Sequence, residues 1–290
     1  MAPRVFLVGA GPGDSELLTL RAARLLETAE IVLHDSLVDA RILAMAAGAE
    51  LIDVGKRCGK RSTAQTTINE LLVDCARTGQ VVVRLKGGDP MIFGRATEEM
   101  QALDEAGIAY DVVPGVTAAA AAAASLKISL TRRQQARSLH FLTGHGAEGG
   151  LPAHDWVALA RAGGTLAIYM GGQTAAGIAS HLIEAGLAPD TPAIAVENAS
   201  LPKQRHILAT ISTLPRSLEK TQPEGPVLLL IGEALDATPP CRAALSHPSA
   251  RALARHHSQT AAITLSRDDR STLPPLPPPA ARIPAPRARR

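Results

Sequence analysis

Short runs of β-branched and aliphatic residues alternate with longer stretches of helical period along most of the chain, and several of the runs end in glycine. That alternation dictates an α/β architecture, because each run has strand length and each intervening stretch is long enough to cross back over a sheet. Strands are expected at Arg4 to Val8, Glu30 to His34, Glu50 to Val54, Val81 to Leu85 and Tyr110 to Val113, with helices at Ser15 to Thr28, Val38 to Ala46, Thr66 to Arg77 and Gly94 to Glu105. Pro114-Gly115 is a turn signal, so a first α/β domain with a mainly parallel sheet is expected over residues 1–114.

The second set starts with a run of alanines, Ala118 to Ala124, which has the best intrinsic helix propensity. Strands are expected at Ser138 to Thr143, Thr165 to Tyr169, Ala193 to Glu197, His206 to Thr210 and Val227 to Ile231, and helices at Trp156 to Ala162 and Gln173 to Ala185. Two late strands lie close together with no helix between them, which predicts a mixed sheet in a second α/β domain over residues 115–236. Residues 237–290 are different. Their last part is crowded with proline, from Pro274 to Pro286, and a segment of that kind cannot bury enough apolar surface to offset its ordering entropy, so a disordered tail is expected.

The tail also explains the charge. The chain carries +3 overall, but nine arginines and only Asp268 and Asp269 follow residue 240, which leaves the body at −4 and without an electrostatic case for binding nucleic acid. With aromatic residues at only 2%, the core must be aliphatic. Cys58, Cys75 and Cys241 are odd in number and far apart, which suits a reducing compartment and argues against a metal site. Glycine and proline interrupt the first apolar stretch too early for a signal peptide, and no segment nears the roughly 20 apolar residues of a membrane helix. A cytoplasmic protein with no membrane association is expected.

Ligands of open α/β sheets bind beyond the carboxyl ends of the strands. Four bare loops are expected there: Gly9 to Asp14, Gly87-Gly88-Asp89-Pro90, Pro114 to Ala118, and Met170-Gly171-Gly172. The first, in VGAGPGD, invites comparison with a dinucleotide-binding turn of an NAD-linked oxidoreductase, with Asp35 placed to hold a ribose. Two features oppose it: the spacing is G-x-G-x-G, and Pro12 removes a backbone donor that a pyrophosphate would need. Two plainer alternatives also stand, Asp35 as the N-cap of a helix and Met170 as ordinary core.

VGAGPGD, LHDSLV, VGKR, VVRLKGGDPMIFGR, VVPGVTAA, LTRR, TGH, IYMG, QR and a terminal VLLLIGEAL together resemble the tetrapyrrole methylase family, in unbroken order from about residue 4 to 235. The resemblance implies two α/β domains with a cleft between them, usually in a homodimer, that binds S-adenosylmethionine (SAM) and releases S-adenosylhomocysteine, with no metal. It places cofactor contacts at Pro12, Gly87, Gly88, Asp89, Ile92, Thr117, Ala118, Met170 and near Ala199. It makes Asp35 the proton acceptor and Lys56 the proton donor, although Lys56 is equally suited to holding a substrate carboxylate. The implied activity is C-methylation of a small-molecule tetrapyrrole: uroporphyrinogen III methylated twice, at C2 and C7, to precorrin-2 for sirohaem or cobalamin, or alternatively a later precorrin. A degenerate member that binds without turnover is the non-enzymatic alternative.

These sites make chemical sense. A sulfonium cofactor needs bare backbone and apolar walls, and a macrocycle rimmed by acetates and propionates needs arginines. Arg57, Arg61, Arg95, Arg132, Arg133 and Arg205 all flank the motifs and are the expected substrate contacts. Departures from the family pattern fall at His34, Ser36, Ser125 and Ala199, mostly on the expected substrate side.

Overall fold

A computed structural model describes residues 4–55, 64–146 and 149–237. Its first sheet contains β1 (Val5–Gly9), β2 (Ile31–His34), β3 (Glu50–Asp53), β4 (Val82–Lys86) and β5 (Tyr110–Val113) in the order β3-β2-β4-β1-β5. Every pairing in it is parallel. Side chains alternate across such a sheet, and the two faces take different helices. Val5, Leu7 and Val82 pack with Ile68 and Leu72 of α3 (Gln65–Arg77) and Leu103 of α4 (Ala96–Glu105). Val8, Val32, Val83 and Leu85 pack with Ala22 and Leu26 of α1 (Leu20–Thr28) and Ile42 of α2 (Ala40–Leu43). Burial on both faces is why β1 reads as a continuous apolar run rather than an alternating one.

The second sheet contains β6 (Leu139–Thr143), β7 (Thr165–Tyr169), β8 (Pro192–Glu197), β9 (Arg205–Thr210) and β10 (Val227–Ile231), ordered β6-β7-β10-β8-β9. It is mixed, as expected: β6 and β7 are parallel, while β10 runs antiparallel to β7 and β8, and β8 to β9. One face packs on α6 (Trp156–Ala162), α7 (Ala175–Glu184) and α8 (Leu214–Thr221) through Trp156, Ile178, Leu182, Leu214 and Leu218. The other packs on Ala119 and Ala122 of α5 (Ala118–Leu126), the alanine run.

Local chemistry moves several boundaries. Ser15 to Thr28 is not one helix. A 3₁₀ turn, Ser15–Leu17, comes first, and Thr19 then caps α1 by accepting the Ala22 N–H at 3.1 Å. The stretch from Val38 shortens to α2, capped by Asp39 and continued as a 3₁₀ turn, Ala44–Ala46. α4 starts only at Ala96, because Arg95 has a left-handed backbone, φ 55°. α8 was not expected at all; it is only eight residues long, and its apolar face rests on Leu214 and Leu218, which are buried against the sheet. The expected tail, residues 237–290, lies outside the described residues apart from Ala237.

What positions the site is a seam of bare backbone where β1, β4 and β5 end. The Gly11 and Gly88 backbones exchange hydrogen bonds at 3.1 and 2.7 Å. A Cβ on Gly9 would lie 2.6 Å from the Gly115 nitrogen, and one on Gly115 would lie 2.2 Å from the Gly88 carbonyl oxygen. Backbone cannot move aside as a side chain can, so Gly115→Ala is expected to lower stability by about 1–3 kcal/mol, the usual cost of overpacking. An unchanged midpoint in urea unfolding would contradict the seam.

Candidate functional site

A cavity of about 530 Å³ opens beside this seam and is closed on its far side by the second sheet. All nine residues expected to touch a cofactor line it: Pro12, Gly87, Gly88, Asp89, Ile92, Thr117, Ala118, Met170 and Ala199. They arrive from four different loops, after β1, β4, β5 and β7, and from the turn after β8. Asp89 ties two of these loops together. One of its carboxylate oxygens accepts the Met91 N–H at 2.8 Å and the other the Gly115 N–H at 3.0 Å. The first loop is held to the second sheet, since the Asp14 N–H donates to the Ser200 hydroxyl at 3.0 Å and Gly13 abuts the Leu201 side chain.

Two wall residues were passed over in the sequence. The Tyr169 hydroxyl lies 2.5 Å from the Thr117 hydroxyl, and its ring packs between Phe93 and Phe141 at centroid distances of 5.1 and 5.7 Å. Burial pushes the Tyr169 phenol up from its ordinary range, partly offset by its hydrogen bonds with Thr117 and the Ala119 N–H. Aromatic residues are scarce in this chain, yet Phe93 and Tyr169 both line the cavity, with Phe141 packed against Tyr169. Met170 is not core: it is 49% exposed and has φ 56°, which turns its side chain out of the strand.

Asp35 does not cap a helix either; that role belongs to Asp39. Its Oδ1 accepts from Nη2 of Arg84 at 2.5 Å, and its side chain remains 32% exposed. Arg84, 2% exposed, also donates through Nε to Glu99 Oε1 at 2.9 Å and through Nη1 to the Leu33 and Leu85 carbonyls. Lys86 Nζ donates to the same Glu99 oxygen at 2.9 Å. Two cations and one anion are therefore buried together, and Asp35 is the fourth charge that brings the cluster to neutrality. Burial, and then the Arg84 charge, pull the Lys86 ammonium below its ordinary value, while Glu99 and Asp35 act in the opposite sense.

The expected substrate arginines are placed differently. Arg95 pairs with Glu98 at 2.6 Å on an exposed surface, and Arg205 pairs with Glu197 at 2.5 Å. Arg132 and Arg133 are exposed. None of these four lines the cavity. Lys56, Arg57 and Arg61 lie outside the described residues. The geometry also disfavours a dinucleotide turn: Gly11 spends its N–H and carbonyl on Gly88, and the next α-helix starts only at Leu20, too late to point its N-terminus at a phosphate held by these glycines.

Glu197 anchors the wall opposite. It is 2% exposed, and besides Arg205 it accepts the Glu224 and Gly225 N–H groups, both at 2.8 Å, just before the cavity-lining Pro226, Val227 and Leu228. Burial alone would raise its pKa, but Arg205 and the two backbone donors outweigh it and hold the carboxyl below the ordinary value of 4.5. The stability this confers is complete above that ordinary value and is lost as pH falls through the lower, folded-state one. Glu197→Gln is thus expected to cost about 1–3 kcal/mol at pH 7. The gap from wild type, followed by urea unfolding, should narrow steadily in acid; a gap independent of pH would contradict this role.

Comparison with known proteins agrees with this geometry. The tetrapyrrole (corrin/porphyrin) methylases match the chain over residues 4–215. The uroporphyrinogen-III C-methyltransferase of Paracoccus denitrificans is 46% identical over 230 residues, covering 79% of this chain and 80% of that protein. The siroheme synthase of Chromobacterium violaceum is 45% identical over 81% of this chain, and the chain spans about half of that longer protein. The solved structure of the Thermus thermophilus uroporphyrin-III C-methyl transferase with S-adenyl homocysteine superposes with a TM-score of 0.71 at 42% identity, covering 81% of this chain and 100% of that one. A family match spanning most of the chain, with a relative 46% identical over most of both proteins, shows that the chain belongs to the tetrapyrrole methylase family.

Proposed function

We propose that the chain is a SAM-dependent C-methyltransferase that methylates uroporphyrinogen III twice, at C2 and C7, to give precorrin-2. The observation that carries this is the cavity where the Gly87-Gly88-Asp89 loop, Thr117-Ala118 and Met170 meet. Its volume of about 530 Å³ suits a ligand the size of SAM. The bare backbone at Gly87 and Gly88 gives close access, Ile92 and Leu228 give apolar walls, and Pro12 closes one side without offering a donor. SAM supplies an electrophilic methyl group with its own leaving group. What remains for the protein is positioning and proton removal.

The attacked macrocycle becomes cationic on methylation and must then lose a proton. Asp35 sits one residue before Ser36, which lines the cavity, and its carboxylate is the acceptor in this mechanism. Lys56 acts as proton donor or binds a substrate carboxylate. Arg57, Arg61, Arg95, Arg132, Arg133 and Arg205 are the candidates for the rim carboxylates. Arg132 and Arg133 are exposed and Arg95 pairs with the exposed Glu98, whereas Arg205 is tied to the buried Glu197. Among the described residues no helix is long and apolar enough to cross a membrane. We place the enzyme in the cytoplasm, as a homodimer of two α/β domains, 1–114 and 115–236, on the family resemblance.

Calorimetry should show S-adenosylhomocysteine binding and no response to NAD; the reverse result would remove the methyltransferase. Uroporphyrinogen III supplied under reducing conditions with SAM should yield the dimethylated product, and Asp35→Ala should slow its formation by about 10²–10⁴-fold, the usual span for a general base. Undiminished turnover by that variant would take Asp35 out of the chemistry.

A further inference from the structure

The buried charges behind Asp35 do not line the cavity, yet they are costly to bury and are connected to one another. They alternate in sign: Lys86, Glu99, Arg84, Asp35. Only the last reaches solvent appreciably, at 32% exposure, while the other three are 3%, 0% and 2% exposed. Glu99 and Asp35 take different nitrogens of one guanidinium, Nε and Nη2. The Leu33 and Leu85 carbonyls take Nη1 and fix the plane of the group. Among the described residues, Asp35 Oδ1 is engaged by Arg84 and Oδ2 makes no hydrogen bond. Among these residues the carboxylate is thus held through Oδ1, and Oδ2 is the oxygen assigned to the proton.

We propose that Arg84, clamped from behind by Glu99, is a positioning residue that orients Asp35 for proton abstraction from the methylated macrocycle. This rests on the proton-acceptor role given to Asp35 above. Glu99 is the fixed end of the device, and Lys86 balances its charge. In the step served, the C–H electron pair returns to the macrocycle and the proton goes to Asp35 Oδ2, so the ring loses the positive charge it gained with the methyl group. A lysine at position 84 keeps the cation but has a single nitrogen, which cannot hold Glu99 and Asp35 in the fixed fork of a guanidinium.

The test is a pair of double-mutant cycles on the full chain, Arg84→Lys and Glu99→Gln, each crossed with Asp35→Asn. SAM-dependent methylation of uroporphyrinogen III is the readout, with S-adenosylhomocysteine binding measured alongside. Each single variant is expected to lose about tenfold or more in kcat, with little change in KM or in S-adenosylhomocysteine affinity. Neither is expected to slow the Asp35→Asn enzyme further, because residues that act as a unit are not additive. An equal loss in the Asp35→Asn background, or unchanged kcat in the folded single variants, would overturn the proposal. If both buried substitutions prevent folding, Asp35→Glu moves the carboxylate off Arg84 from the exposed end; a low kcat with normal S-adenosylhomocysteine binding supports positioning, and wild-type kcat overturns it. Absence of methylation by the wild type would overturn the function itself and the positioning role with it, whereas additive variants of an active enzyme would overturn the positioning role alone.

Discussion

Three strand ends meet without a side chain between them, and the rest of the site hangs on that contact. At Gly9 and Gly115 the backbones of β1 and the β5 loop lie closer to each other, and to the Gly88 carbonyl of the β4 loop, than any Cβ allows. The mutual hydrogen bonds of Gly11 and Gly88 then lock the first and second loops, and Asp89 locks the second to the third. Loops pinned in this way to a parallel sheet form a rigid rim, which explains how a cavity can present bare backbone without collapsing. A dinucleotide turn would use the same glycines to admit a phosphate. Here the polar groups of Gly11 are spent on Gly88, and the space they leave is bounded by Pro12.

Behind the rim, the first sheet carries an unusual load for an aliphatic core. Arg84 and Lys86 alternate with Leu85 along β4, and both charged side chains reach Glu99 on α4. Burying such groups is unfavourable unless each is paired and hydrogen-bonded, and replacing them with apolar residues would often be neutral or better for stability. At the end of β4 the cluster reaches outward through Arg84 to Asp35, next to the cavity-lining Ser36. Glu197 has the corresponding place in the second sheet, where one buried carboxylate holds an arginine and the turn that begins the far wall.

Much of the fold was legible because burial on both faces leaves a plain trace: short aliphatic runs between longer helical stretches. All ten strands lie within a residue or so of the expected positions, and the mixed second sheet follows from the short β8–β9 connection. Helix starts were less legible, since caps such as Thr19 and Asp39 sit inside stretches whose apolar period continues past them. The Leu214–Thr221 helix was invisible because its stability comes from two leucines under the sheet rather than from propensity. In the site, nine of the cavity-lining positions were readable from motifs, whereas Tyr169 and Phe93 were not, because their meeting depends on two sheets coming together.

The sequence by itself determined the α/β class, the glycine loops at strand ends and the family likeness, because each is carried by residues adjacent in the chain. Only the tertiary structure decided the partners of the charged groups. The expected strand Val81 to Leu85 held Arg84 and stopped short of Lys86, and the motif around them named no partner for either. A strand states which residues share a face but not what a side chain six atoms long meets across the core, and so the links from Arg84 to Asp35, 49 positions away, and to Glu99 emerged only when β2, β4 and α4 were brought together.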